Sequence, residues 1–281
     1  NQFMRAMQKN RPLYTQRRAM TLHLVILFIL VCCACADLDY SPYTPDQTGA
    51  FGSLNAINLQ RILLADNGIT PFKVAFIADT HLWYDETARL IEILNMRLDL
   101  DFVVIIGDIT MNGLPLEYET AMDLFQRLFL PYLVVIGNHD ARGLGQELYS
   151  FIFGPYNFHF VYKSVHFVVL NDCKQEFTHG APDFRWLAAA TLSSAMSLSA
   201  FICHIDPSDS GGGIFTPEET LQFKNIIVPN YSITLHGHWH APRLIVQDGI
   251  PRYVVGSAEY GWCTIITFHD TFFEVEQCRF F

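Results

Sequence analysis

Two observations predict an α/β fold. From residue 71 onward, short runs rich in Val, Ile and Phe alternate with segments of helical spacing. Nearly every run also ends in Asp, Asn or His, which is where an open α/β sheet gathers ligands, beyond the carboxyl ends of its strands. Composition agrees: 281 residues with 51% hydrophobic and 16% charged side chains exclude a disordered chain or a coiled coil.

In chain order, residues 37–70 read as a tether followed by a lead-in helix. Ser41-Pro42, Thr44-Pro45 and Asn67-Gly68 punctuate the segment, and Leu54, Ile57, Leu63 and Leu64 give 53–65 an apolar stripe. Strands are expected at 72–78, 102–106, 132–136, 165–170, 199–203 and 232–235, each a short apolar run bounded by polar or turn residues. Helices are expected at 86–98, 116–128, 182–192 and 217–224, from apolar spacing or from prolines that suit a first helical turn. The tail, 242–281, reads as three or four antiparallel strands, with Asp248-Gly249 as a hairpin turn. The aromatic-rich stretch 151–162 is expected to pack in the core or a loop rather than to stack on bases.

Residues 1–36 form a basic leader. Arg5, Lys9, Arg11, Arg17 and Arg18 precede an apolar run at 22–36 whose one polar interruption is His23, with Met20 as a candidate start. Fifteen residues fall short of the roughly 20 that a spanning helix needs and match the h-region of an export signal. Ala34-Cys35-Ala36 fits cleavage after Ala36, and the same stretch resembles a degenerate lipobox with Cys33 or Cys35 as the lipidated residue. The protein is therefore expected in the periplasm or cell envelope, with membrane attachment through that cysteine.

Five of the 18 basic residues and none of the 28 acidic ones lie in this leader, so the rest of the chain carries 13 basic against 28 acidic side chains, a net charge of −15. So acidic a body repels a phosphate backbone at long range and disfavours extended nucleic acid as a partner. Cys173, Cys203, Cys263 and Cys278 show no CxxC spacing, which argues against a zinc ribbon or dithiol redox site.

The strand-end residues are Asp79-Thr80-His81, Gly107-Asp108, Gly137-Asn138-His139-Asp140, His204 and Gly237-His238-Trp239-His240. Gly-Asn-His and Gly-His-x-His are each expected only about 0.03 times by chance in a chain of this composition, so the ordered set carries far more weight than any one motif. In this order the motifs resemble those of the calcineurin-like metallophosphoesterases, over roughly 72–276. The resemblance implies a four-layer α/β/β/α sandwich at 71–281 with two metal ions at the sheet edge. It assigns Asp79, His81, Asp108 and His240 to one ion, and Asp108, Asn138, His204 and His238 to the other, with Asp108 bridging.

Those residue types suit the chemistry. Two cations held close together need a bridging carboxylate to offset their repulsion and neutral imidazoles as ligands, and they activate a bridging water for attack on phosphorus. Mixed His, Asp and Asn ligation suits manganese, iron and zinc alike. The leaving oxygen needs a proton, and His139, beside Asn138 but outside the ligand set, is the expected general acid.

One departure matters. Many family members continue Gly-Asp-x-x-Asp-Arg-Gly, the second Asp pairing with the acid histidine; here the stretch is Gly107-Asp108-Ile109-Thr110-Met111-Asn112-Gly113. Met111 is expected neither to orient nor to charge His139, no arginine follows it to clamp phosphate, and Asn112 is a candidate substrate contact. His236 is expected to be structural, and His159, His166, His179 and His269 ordinary. Gly211-Gly212-Gly213 lacks the Lys-Ser/Thr of a phosphate-binding P-loop and is expected to be a flexible loop at the cleft mouth. Loops 82–86, 110–118, 141–160 and 205–217 are left to select the substrate.

The expected function is metal-dependent hydrolysis of a phosphomonoester or phosphodiester by bridging-hydroxide attack. The alternatives are a nucleotide or nucleic-acid hydrolase of the same family, and a non-catalytic envelope-binding protein on this fold.

Overall fold

A computed structural model describes residues 53–177, 180–207 and 215–281. The expected leader and most of the expected tether, with His179 and Gly211-Gly212-Gly213, lie outside the described residues.

Helix α1 (Leu54–Leu64) leads into strand β1 (Phe72–Ile77). There follow α2 (Tyr84–Asn95), β2 (Phe102–Ile106), α3 (Pro115–Phe125), β3 (Tyr132–Val135) and α4 (Gly145–Phe153). The second half runs β4 (Phe158–Tyr162), β5 (Val165–Val169), α5 (Phe184–Leu192), β6 (Leu198–Ile202), α6 (Pro217–Ile227) and β7 (Ile233–His236). It closes with β8 (Arg243–Gln247), β9 (Ile250–Val254), a short 3-10 turn (Ala258–Tyr260), β10 (Trp262–Phe268) and β11 (Phe273–Arg279).

The strands form two sheets, ordered β11-β10-β1-β2-β3 and β4-β5-β6-β7-β9-β8. Period-2 alternation explains the layering. In β1, Val74 and Phe76 join a buried cluster with Val104 and Ile106 of β2 and with Phe167, Ile202 and Leu235 of the second sheet, so the sheets pack face to face. The intervening Ala75 and Ile77 turn the other way, into a cluster with Leu90, Leu94, Tyr118, Phe125 and Phe153 of α2 to α4. On the far face of the second sheet Val168 and Phe201 pack against Leu187 of α5 and Phe223 and Ile227 of α6. The result is the four-layer α/β/β/α sandwich.

Local chemistry fixes the ends. At α6, Thr216 Oγ1 accepts from Glu219 N at 3.2 Å while Glu219 Oε2 accepts from Thr216 N at 2.7 Å, a reciprocal cap followed by Pro217 in the first turn. Asp183 caps α5 by accepting from Trp186 N at 2.9 Å, so this helix begins after Pro182 rather than at it. The lead-in helix has a specific task at an open edge: the Asn55 amide donates to Val134 O and accepts from Val134 N, both at 2.8 Å, and so satisfies backbone groups of edge strand β3.

Several expectations need correction. Residues 145–162 contain α4 and β4, which the apolar pattern did not resolve. The loop expected at 82–86 is shorter, because α2 starts at Tyr84. The tail does supply four strands, with Asp248-Gly249 turning at φ 56° and 82° as a two-residue hairpin requires, but it divides between the sheets, and β9 pairs with β7 in parallel. All four described cysteines are free thiols, and Cys263 and Cys278 stand opposite each other across β10 and β11. Among the described residues no helix is long and apolar enough to cross a membrane.

Candidate metal centre

Each motif is delivered by a strand that ends at the same rim. Asp79 and His81 follow β1, Asp108 follows β2 and Asn138 follows β3; from the other sheet His204 follows β6, and His238 and His240 follow β7. Two groups result, Asp79 with His81 and His240, and Asp108 with His204 and His238, the ligand-capable atoms of each lying within 4.8 Å of one another. Asp108 stands between them: its Oδ2 is 3.0 Å from His204 Nε2 and 3.7 Å from His81 Nε2 of the other group. Asn138 Oδ1 lies 3.1 Å from His238 Nδ1, so the one amide in the set belongs with the second group.

The backbone is bent to achieve this. Asp79, His81, Asp108, His238 and His240 all have positive φ, between 39° and 72°, a region that side chains with a Cβ seldom occupy. Such strain persists where surrounding structure over-determines it, typically at functional sites. Gly107 and Gly137 make the crowding tolerable. A Cβ on Gly137 would lie 2.2 Å from Asp108 Oδ1, and one on Gly107 would lie 2.5 Å from His204 Nδ1.

Outer contacts aim the rings. His81 Nδ1 donates to Thr110 O and His204 Nδ1 to Ile106 O, each at 2.9 Å, which leaves both Nε2 atoms facing the carboxylates. Ser257 Oγ donates to Asp79 O at 2.9 Å, and Glu259 Oε2 stands 4.0 Å from His240 Nδ1. Asp140, at the end of the Gly137-Asn138-His139-Asp140 motif, accepts from Thr110 N, Thr110 Oγ1 and Gly137 N at 2.8 to 2.9 Å and ties the loops after β2 and β3 together. Asp172, after β5, accepts from Ile205 N at 3.1 Å and anchors the turn that carries His204. Motif spacing pointed to none of Ser257, Glu259 or Asp172 as part of the site; Asp172 had the faint signal of being another acidic residue just past a buried strand.

The electrostatics favour cations. Burial pushes the Asp79 carboxyl well above its ordinary range, and the nearby Asp108 charge adds to that. Burial acts on Asp108 in the same direction, but the charge of His204 and its hydrogen bond overcome it and hold Asp108 well below the usual carboxylate range. Burial also lowers His81 and His238 to about 4, so both are neutral imidazoles, the form that ligates. Asp79 Oδ2 is buried with no hydrogen-bond partner. An orphaned carboxylate oxygen grouped with His81 and His240, whose rings burial keeps from charging, is a donor set that fits a divalent cation, and the second group offers the same residue types to another.

His139 belongs to neither group. Its N–H donates to Asp108 Oδ1 at 2.8 Å, its ring packs edge-on against His81 with centroids 4.8 Å apart, and its Nδ1 lies 2.7 Å from Met111 O. The expectation that residue 111 could not orient this histidine holds for the thioether and fails for the main chain. Asn112 is exposed, its N–H donating to Glu117 Oε2 at 2.8 Å and its side-chain amide to Glu117 Oε1 at 3.4 Å. His236 is structural as expected, placed between Cys203 Sγ at 3.3 Å and Thr234 Oγ1 at 2.9 Å.

A model of the calcineurin-like phosphoesterases matches residues 72–242. The chain belongs to that family. No curated protein matches its sequence, but solved structures share its fold at low identity. A dimetal phosphatase from Danio rerio aligns with a TM-score of 0.56 at 12% identity, over 75% of this chain and 100% of that one. Purple acid phosphatase PPD1 from yellow lupin aligns at 0.58 and 14% identity, over 75% and 52%. GAP50, described as the anchor in the inner membrane complex of Plasmodium, aligns at 0.58 and 10% identity, over 75% and 85%. Membership of this family makes a phosphoester hydrolase the class to which the site is referred.

Proposed function

We propose that this calcineurin-like phosphoesterase hydrolyses a phosphomonoester or phosphodiester with two divalent cations, of manganese, iron or zinc, and with His139 as general acid. The observation that carries the reading is the placing of the Asp108 carboxylate between two histidine-carboxylate groups, with His139 beside them and in neither. Asp79, His81, Asp108 and His240 would hold one cation, and Asp108, Asn138, His204 and His238 the other. Bound there, the cations would supply charge neutralisation on phosphate oxygens and a water acidic enough to attack at neutral pH.

The chain's own residues do the rest. Asp108 is fixed by the His139 N–H, and Asp79 Oδ1 accepts from His238 N at 3.0 Å, so both carboxylates are positioned before substrate arrives. With Nδ1 engaged by Met111 O, His139 presents Nε2 as the atom that delivers a proton to the leaving oxygen. The acidic body favours a compact phosphate ester over extended nucleic acid. The leader pattern at 17–36 supports export to the periplasm or cell envelope, with Cys33 or Cys35 lipidated.

The test is hydrolysis of para-nitrophenyl phosphate and bis-para-nitrophenyl phosphate by metal-stripped protein reloaded with manganese. Metal-restored turnover of either ester supports the reading, and the ratio of the two ranks monoesters against diesters. Protein that retains no cation and turns over neither ester favours a binding role on the same fold.

A further inference from the structure

The cleft carries a cation that the proposed reaction has not used. Arg142 lies four residues beyond Asn138, in the loop between β3 and α4, and is solvent-exposed. Its Nη1 donates to Met111 O at 3.2 Å, the same carbonyl that receives His139 Nδ1, and its Nη2 lies 3.2 Å from His139 Nε2. Among the described residues no carboxylate pairs with this guanidinium within 4.0 Å. In a body of net −15, an arginine held by a main-chain carbonyl and a ring nitrogen at the edge of a metal-capable cleft is out of keeping with the rest of the surface. Of the acids around that loop, Asp140 is committed to Thr110 and Gly137 N, Glu117 to Asn112 N and Leu114 N, and half-buried Glu176, whose carboxyl feels the Arg142 charge, makes no ion pair with it within 4.0 Å.

A guanidinium has five donors and no acceptor, so at least three of Arg142's are free for an incoming group, and its planar fork matches two oxygens of a phosphoryl group. One carbonyl positions both side chains, so the Arg142 fork and His139 Nε2 point at one small volume. An oxygen within reach of Nε2 brings the non-bridging oxygens on the same phosphorus within reach of the arginine. An anionic phosphoryl oxygen is a stronger acceptor for a guanidinium than a ring nitrogen, and the exchange favours substrate.

We infer that Arg142 is a substrate-binding residue that donates to non-bridging oxygens of the phosphoryl group undergoing cleavage, on the side facing His139. The inference rests on the phosphoesterase reading for its substrate but not for its test. Inorganic phosphate is titrated calorimetrically into full-length, manganese-loaded wild type, Arg142→Ala and Arg142→Lys, with manganese content and melting temperature measured on each. The expected result is a phosphate affinity weakened on the order of 10- to 100-fold in Arg142→Ala and less in Arg142→Lys, which keeps the charge and loses the fork. Manganese content stays unchanged, and in turnover assays KM rises more than kcat falls.

Phosphate affinity unchanged in Arg142→Ala, or no phosphate binding to loaded wild type, overturns the inference. Arginine-dependent phosphate binding in a protein that hydrolyses no ester upholds the inference and sinks the catalytic reading alone.

Discussion

The carbonyl oxygen of Met111 lies 2.7 Å from Nδ1 of His139. A main-chain oxygen thus occupies the orienting position for which many relatives of this type use an aspartate, and it fixes the ring without adding charge. The side chain at 111 is therefore dispensable for orientation. Met111→Ala is expected to keep kcat within about threefold of wild type, since the hydrogen bond survives the substitution. A loss as large as that of a His139 variant would show that the thioether, not the carbonyl, sets the ring.

Removing the ring itself should act on proton delivery. His139→Ala is expected to lower kcat by roughly 10²- to 10⁴-fold for an alkyl phosphate and far less for para-nitrophenyl phosphate, whose leaving group needs no proton. Bound metal should be unchanged, because the contact from residue 139 to Asp108 is made by its backbone N–H. Equal losses on both esters would exclude His139 as the acid.

Asp108 is the shared element. Asp108→Asn keeps the shape and halves the ligand capacity between the groups, so metal content should fall from two ions per chain to one or fewer and turnover should drop by at least about 10³-fold. Mass-spectrometric metal analysis beside the turnover assay checks this. Full metal content with intact hydrolysis would remove Asp108 from the bridging position.

Metal loading should release protons. Burial opposes a charge on His204, but the Asp108 carboxylate, with Asp79 behind it, overcomes that and pushes the ring up to about 10 in the metal-free chain. A cation at the second group must displace that proton, so apparent affinity should rise as much as tenfold per pH unit toward pH 10. In the metal-free protein the raised histidine stabilises the fold fully below its unfolded value of about 6.5, and this contribution fades as pH rises through about 10. Calorimetry in buffers of differing ionisation enthalpy counts the protons; heats independent of buffer would contradict the His204 assignment.

Space at the centre can be tested without touching a ligand. Gly137→Ala puts a Cβ 2.2 Å from Asp108 Oδ1 and Asp108 N, so one of the loops after β2 and β3 must move. A loss on the order of 2 to 4 kcal/mol in denaturant unfolding is expected, with metal binding impaired as well. Stability and metal content both at wild-type level would show that these loops yield more easily than the packing suggests.

Much of this architecture is written in one-dimensional patterns. The strands β1, β2, β3, β5, β6 and β7 are short, mostly apolar runs, and the polar residues just past their ends, such as Asp79, Asp108 and His204, mark the rim. What escaped depends on non-local pairing. Residues 145–162 hide α4 and β4 because aromatic side chains serve helix and strand equally, and β9 runs parallel to β7 because the chain changes direction at the Asp248-Gly249 turn before it rejoins the sheet. The Met111 carbonyl is invisible to any reading of side chains. Asn55 gave no hint of pairing with Val134, 79 positions away.

Each candidate centre takes donors from both sheets, and His81 and His240 are 159 positions apart. Neither centre can be completed until the end of the Gly237–His240 motif has emerged, His238 for one and His240 for the other. Cation choice is therefore a late event, decided by the ions available where folding finishes and not where synthesis begins. The compartment in which residues 204–240 finish folding is thus the one whose metal supply counts.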